Sequence, residues 1–143
     1  MADLHKLRSE ALEMARHLLE KRGEFLPFCV VQTVDGEVAP FIVQGDDPNP
    51  DASTLIAWYC EEMAKLANEG QIVGSVMAVD TRIKGIEEGR SRDAVLLCLR
   101  SPEEAVDEAT PYAVETTGRI FKKRAVSFDD PQVSHPERNE IFA

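Results

Sequence analysis

Four basic side chains, Arg82, Lys84, Arg90 and Arg92, crowd a short stretch that opens at Asp80 and joins two apolar segments. Arginine forks are the groups best suited to carboxylates and phosphates, because they donate two parallel, charge-assisted hydrogen bonds. If the flanking segments pair as strands, Asp80 and Arg82 lie across from Arg90 and Arg92. That group could hold an anionic ligand or an acidic loop of a partner. The simpler reading is a solvated hairpin tip balanced internally by Glu87, Glu88 and Asp93, since exposed ion pairs are common and weak. A second basic run, Lys122-Lys123-Arg124, falls in a segment that reads as a strand. Strand alternation divides such a run between two faces, so it reads as protection of a sheet edge rather than as a binding patch.

No other constellation reaches chemistry. Asp47-Pro48-Asn49-Pro50-Asp51 has the opening of a calcium loop, but Ala52 stands where the loop needs glycine and Trp58 where it needs a closing carboxylate. It reads as a turn leading into a helix cap. His5, His17 and His135 have no metal-ligand spacing, so no zinc site is expected. There is no nucleophile elbow, none of the cysteines has a histidine near it in sequence, and Gly85, Gly89 and Gly118 are separate turn residues rather than a phosphate loop. No catalytic residue, metal or cofactor is expected.

Charge narrows the possible partners. The formal net charge is −10, and residues 23–81 hold ten acidic groups against the single base Lys65. Such a field discourages nucleic-acid phosphates and anionic membranes, and favours a basic protein partner or simple solubility. Neither a nucleic acid nor a membrane is expected as a partner. A chain of 143 residues is one domain's worth and buries roughly 68–70% of its unfolded surface, enough to fold without staples. No apolar run approaches the ~20 residues that span a bilayer, and Met1-Ala2-Asp3-Leu4-His5 lacks the apolar core of a signal peptide. Cys29, Cys60 and Cys98 are odd in number and embedded in apolar segments. They read as buried, reduced thiols of a cytoplasmic protein.

The elements that position these residues follow from periodicity. Residues 3–22 read as a helix, with Asp3 at its start, Gly23 as its stop, and Leu4, Leu7, Ala11, Met14 and Leu18 on one stripe. Leu12, Ala15 and Leu19 widen it. Asp35-Gly36 between apolar runs predicts a β-hairpin. A two-residue loop would pair Val31 with Pro40 and place Cys29, Val31, Thr33, Val38 and Ile42 on one face, with Phe28, Val30, Phe41 and Val43 on the other. A three-residue loop with a bulge, which shifts the pairing by one, stays open. Pro40 lacks an N–H and suggests an edge strand or a bulge.

Asp51 is a plausible cap for a second helix over residues 52–68, with Leu55, Tyr59, Met63 and Leu66 buried and Trp58 beside that stripe. Residues 71–80 and 93–100 read as interior strands, and 112–116 and 120–128 as two more around Thr117-Gly118. Residues 129–143 read as a mostly irregular tail, with Ile141 and Phe142 as its docking residues. The expectation is a single α+β domain over residues 1–128, with one antiparallel sheet of five to six strands and two main helices, in the order helix, two strands, helix, then three or four strands.

Gly23-Glu24-Phe25-Leu26-Pro27-Phe28, followed by the Asp-Gly hairpin, resembles a group of small bacterial proteins without assigned function. The motif marks where the first helix enters the first strand and implies no chemistry. The element order also resembles the Roadblock and profilin-like layout, which would imply dimerisation and regulation of a partner.

Two functions compete at this level. One is a non-catalytic, homodimeric protein-interaction or regulatory domain, for which the apolar faces of the hairpin and the off-stripe Trp58 speak. The other is a small-ligand binder or enzyme with a pocket between sheet and helix, using Asp80 and Arg82 as its polar groups.

Overall fold

The computed structural model describes residues 2–42, 50–84 and 91–142. The calcium-like stretch at 47–49, Val43, Arg90 and the balancing acids Glu87 and Glu88 lie outside them. Among the described residues, two helices and seven strands follow one another as α1 (Leu4–Arg22), β1 (Phe28–Thr33), β2 (Val38–Phe41), α2 (Ala52–Asn68), β3 (Ile72–Lys84), β4 (Ser91–Arg100), β5 (Ala105–Thr117), β6 (Lys123–Phe128) and β7 (Gln132–Ser134). The strands form one antiparallel sheet in the order β2-β1-β3-β4-β5-β6.

α1 is built as its spacing predicts. The Asp3 side chain accepts a hydrogen bond from the Lys6 N–H at 3.0 Å, and the Gly23 N–H donates to the Leu19 carbonyl at 2.8 Å. Both satisfy backbone groups that a helix end otherwise leaves orphaned. Its fully buried line is Leu7, Ala11, Ala15 and Leu19, rotated slightly from the stripe centred on Met14 and Leu18. The two alanines let the helix lie close on β3 and β4, above Val30, Val76, Val95, Leu97 and Leu99.

α2 covers the opposite face of the sheet. Asp51 caps it through the Thr54 N–H at 2.7 Å, and Leu55, Tyr59 and Met63 pack on Cys29, Val31 and Ile72. Both faces of β1 are therefore covered within one chain.

The hairpin takes the bulged alternative. Cys29 pairs with Phe41, Val30 with Pro40 and Val31 with Ala39, around a loop of Val34, Asp35 and Gly36. The Gly36 N–H donates to the Thr33 carbonyl, and Gly36 adopts a φ of 90°, a conformation that glycine reaches without steric cost. The one-residue shift moves Phe41 to the α2 side and Val38 to the α1 side, opposite to their places under a two-residue loop. β2, with Pro40, is an edge strand as expected.

The last third of the chain is more regular than its sequence suggests. β5 begins at Ala105, well before Tyr112, and β6 begins at Lys123, so Ile120, Phe121 and Lys122 belong to the turn. β4 occupies one edge of β5, and β6 and then β7 run along the other. The tail thus contributes a short strand, and beyond it Ile141 is buried and Phe142 packs beside it in the α2-side core.

Candidate functional site

β3 and β4 pair in a register that separates the expected cluster. Arg82 lies opposite Asp93, and Ile83 opposite Arg92, so alternation sends Arg82 and Arg92 to different faces of the sheet. Arg82 pairs with Asp93 at 3.2 Å, and Arg92 with Asp129 at 2.5 Å. Asp80 lies opposite Val95 on the α1 side. It accepts from the Tyr112 hydroxyl at 2.6 Å and from the Phe25 N–H at 3.4 Å. Trp58 is half-buried against the core under α2. Arg82 and Arg92 do not converge on a common anion position.

Desolvation pushes the Asp80 carboxyl above its ordinary pKa, against the hydrogen bonds from Tyr112 and Phe25, with Asp93 and Glu24 adding like charge. Burial and the facing Asp80 also hold the Tyr112 hydroxyl well above its usual range. A carboxylate whose folded pKa is raised costs stability once it is ionised and costs none when protonated. Asp80→Asn should therefore gain on the parent as pH rises from about 3 to 7. Thermal melts of both proteins across that range check this, and a difference independent of pH would contradict it.

A second place is the turn between β5 and β6. Ile120 and Phe121 are 86% and 83% exposed there, with Arg119 before them and Lys122, Lys123 and Arg124 after. The base of this hairpin is fastened to α1. Tyr112, Val114, Val126 and Phe128 join the α1-side core, and Arg16 donates to the Val126 carbonyl at 2.9 Å while lying 4.7 Å above the Phe128 ring. Arg124 donates to the Lys21 carbonyl at 2.8 Å, at the C-terminal end of α1. That end carries Lys21 and Arg22 as well. The β5–β6 turn and the end of α1 thus gather basic side chains around two exposed apolar ones.

The third place lies between the sheet and α2. The register sets Cys29, Met77, Cys98 and Asp107 in one row across four strands. Cys60 and Met63 of α2 face the same small cavity, about 10 Å³ in volume and also lined by Tyr59, Ser75, Arg100, Glu140 and Ile141. Three thiols and two thioethers thus meet at one point. Burial raises all three thiols: Cys29 far above its usual range, Cys98 to about 12 with help from Asp107, and Cys60 in the same direction. The shifts favour the protonated, less nucleophilic form of each thiol, so reaction with a thiol reagent is slow.

Arg100 stands at the edge of this cavity with its side chain only 5% exposed. Its Nη1 donates to the carbonyls of Leu99 and Val106 at 3.0 and 3.2 Å and to Asp107 at 2.8 Å, while Nε donates to Glu140 at 3.0 Å. Spacing along the sequence carried no sign of this meeting. Alternation on paired strands would have aligned Cys29, Met77 and Cys98, once the strand order was known.

Among the described residues, no group of three His, Cys, Asp or Glu side chains is placed to hold a metal ion, and no helix is long and apolar enough to cross a membrane. No family model, no curated protein and no solved structure matches the chain.

Proposed function

We propose that this chain is a non-catalytic, homodimeric interaction domain of the bacterial cytoplasm, working through its basic β5–β6 tip. The observation that carries the reading is the exposure of Ile120 and Phe121, at 86% and 83%, among four cations. Bare apolar groups within a charged rim mark contact sites, because desolvating them is favourable and the rim selects the partner. Charge complementarity names that partner. Residues 23–81 carry ten acids against one base, so the basic surface that the acidic half calls for is present on a second copy. Two copies related by a two-fold axis can each set a tip against the other's acidic half, which closes the assembly. The free cysteines suit a reducing compartment, and the element order that resembles the Roadblock layout is in keeping with a dimer.

Light scattering at micromolar concentration and low salt is expected to give twice the chain mass of 15.9 kDa. Raising ionic strength to about 0.5 M should shift the mass towards the monomer, since screening shortens the reach of the charges. Phe121→Ser should do the same at low salt. A monomer mass under every condition would overturn the reading. A second reading, a small-ligand binder, draws on the cavity beneath α2 rather than on Asp80 and Arg82.

A further inference from the structure

We propose that the cavity beneath α2 is one half of a binding site for a small aliphatic carboxylate, and that the segment Asn139–Phe142 is its tethered occupant. This site is independent of the tip and of the dimer.

The segment lies between two spaces. On its inner side is the small, sulfur-lined cavity; on its outer side a groove of about 370 Å³ is lined by Ala64, Ala67, Asn68 and Pro102. Glu140 and Ile141 line both, so these two side chains are the wall between them. Without that wall, groove and cavity form one concavity in the size range of small-molecule sites.

The wall is fastened lightly for a core element. Asn139 donates to the Ser101 carbonyl at 2.7 Å, and its side-chain oxygen accepts from the N–H groups of Ile141 and Phe142. Glu140 reaches Arg100 with a side chain still 41% exposed, whereas Ile141 is 7% exposed. The pair thus resembles a ligand in two parts, a carboxylate on the guanidinium and an aliphatic group in the core.

The surroundings select the chemistry of what could replace it. Three of the four acceptors on Arg100, the carbonyls of Leu99 and Val106 and the Asp107 carboxylate, come from the paired strands β4 and β5. Only the Glu140 contact, at Nε, is exchangeable without unfolding the sheet. One donor edge beside a resident carboxylate suits a monoanion; the neighbouring Asp107 charge would repel a phosphate dianion. Cys29, Met63, Met77 and Cys98, which share the lining with Tyr59, Cys60 and Ser75, give it a largely apolar, polarizable surface that accepts an aliphatic chain.

A tethered occupant competes at a high effective concentration, so the parent protein should bind such an acid weakly and a chain with a disabled wall should bind it better. Hexanoate is the probe, and 1-hexanol, of similar shape and without the carboxylate, is its control. The variant is Glu140→Gln with Ile141→Ala; should the pair fail to fold by circular dichroism, each single substitution replaces it. Calorimetry is expected to show hexanoate binding the variant about tenfold or more tightly than the parent, and hexanoate should slow labelling of Cys60 and Cys98 by a thiol reagent. No binding of hexanoate by a folded variant would overturn the proposal, as would equal affinity in parent and variant. Equal binding of hexanol would remove Arg100 from the site and overturn it too.

Discussion

Replacing Arg100 by Ala is expected to lower the unfolding free energy by about 3–5 kcal/mol, the largest loss foreseen for a single polar substitution in this chain. The side chain is 5% exposed and answers four acceptors: two backbone carbonyls and the carboxylates of Asp107 and Glu140. Its removal leaves the Asp107 and Glu140 carboxylates without their shared counter-ion and takes one donor from each of the Leu99 and Val106 carbonyls. Those orphaned groups, rather than the strength of the ion pairs themselves, set the cost, because a buried pair roughly breaks even against an apolar replacement. Urea denaturation measures it. The same reasoning foresees partial recovery when Asp107→Asn and Glu140→Gln accompany the change. A loss below about 1 kcal/mol for Arg100→Ala would show that water reaches and satisfies these groups.

Gly118→Val should disable the β5–β6 tip. Gly118 has a φ of 98°, and a Cβ there would collide with the carbonyl oxygen of Phe121. A β-branched residue can neither adopt that backbone conformation cheaply nor tolerate that contact, so the turn must take another shape. The stability cost should stay near about 1–3 kcal/mol, because the base of the hairpin, Tyr112, Val114, Val126 and Phe128, is held by α1 independently of the tip. Self-association should fall much further, to the level of Phe121→Ser, since Ile120 and Phe121 lose their presentation together. A variant with the parent's melting temperature and the parent's mass by light scattering would contradict both the strain and its role.

Local signals read well from this sequence. The helix limits follow from Asp3, Gly23 and Asp51, because capping is settled within a few residues of chain. The β1–β2 hairpin was visible in Asp35-Gly36. Its register was not, since a loop of two or three residues satisfies the same glycine and only the packing of Phe41 beside Cys29 decides between them. The first half of β5 was missed because Glu103, Glu104, Asp107, Glu108 and Pro111 look like loop residues. Two of those acids are in fact partners of distant cations, Glu108 of Arg8 at 2.5 Å and Asp107 of Arg100 at 2.8 Å, a pairing that no local window can show. The sulfur-lined cavity was hidden for a related reason. Its residues come from β1, α2, β3 and β4, and they meet only after the crossover that puts β3 beside β1. The exposed tip was misread as strand because Ile120 and Phe121 have strong strand propensity, which the Gly118 turn overrides.

The docking of Ile141 against Cys29, Tyr59 and Met63 has a consequence for the way this chain is made. Translation delivers β1 and α2 early, yet the layer between them is sealed by residues synthesised much later. β3, β4 and β5 form successive neighbouring strands and can assemble as they leave the ribosome, with α1 already waiting to cover them. The other layer cannot close in that order. A released chain ending before Asn139 would hold the whole sheet with α1 and α2 upon it, while Cys29, Tyr59 and Met63 lacked the cover that Ile141 gives them.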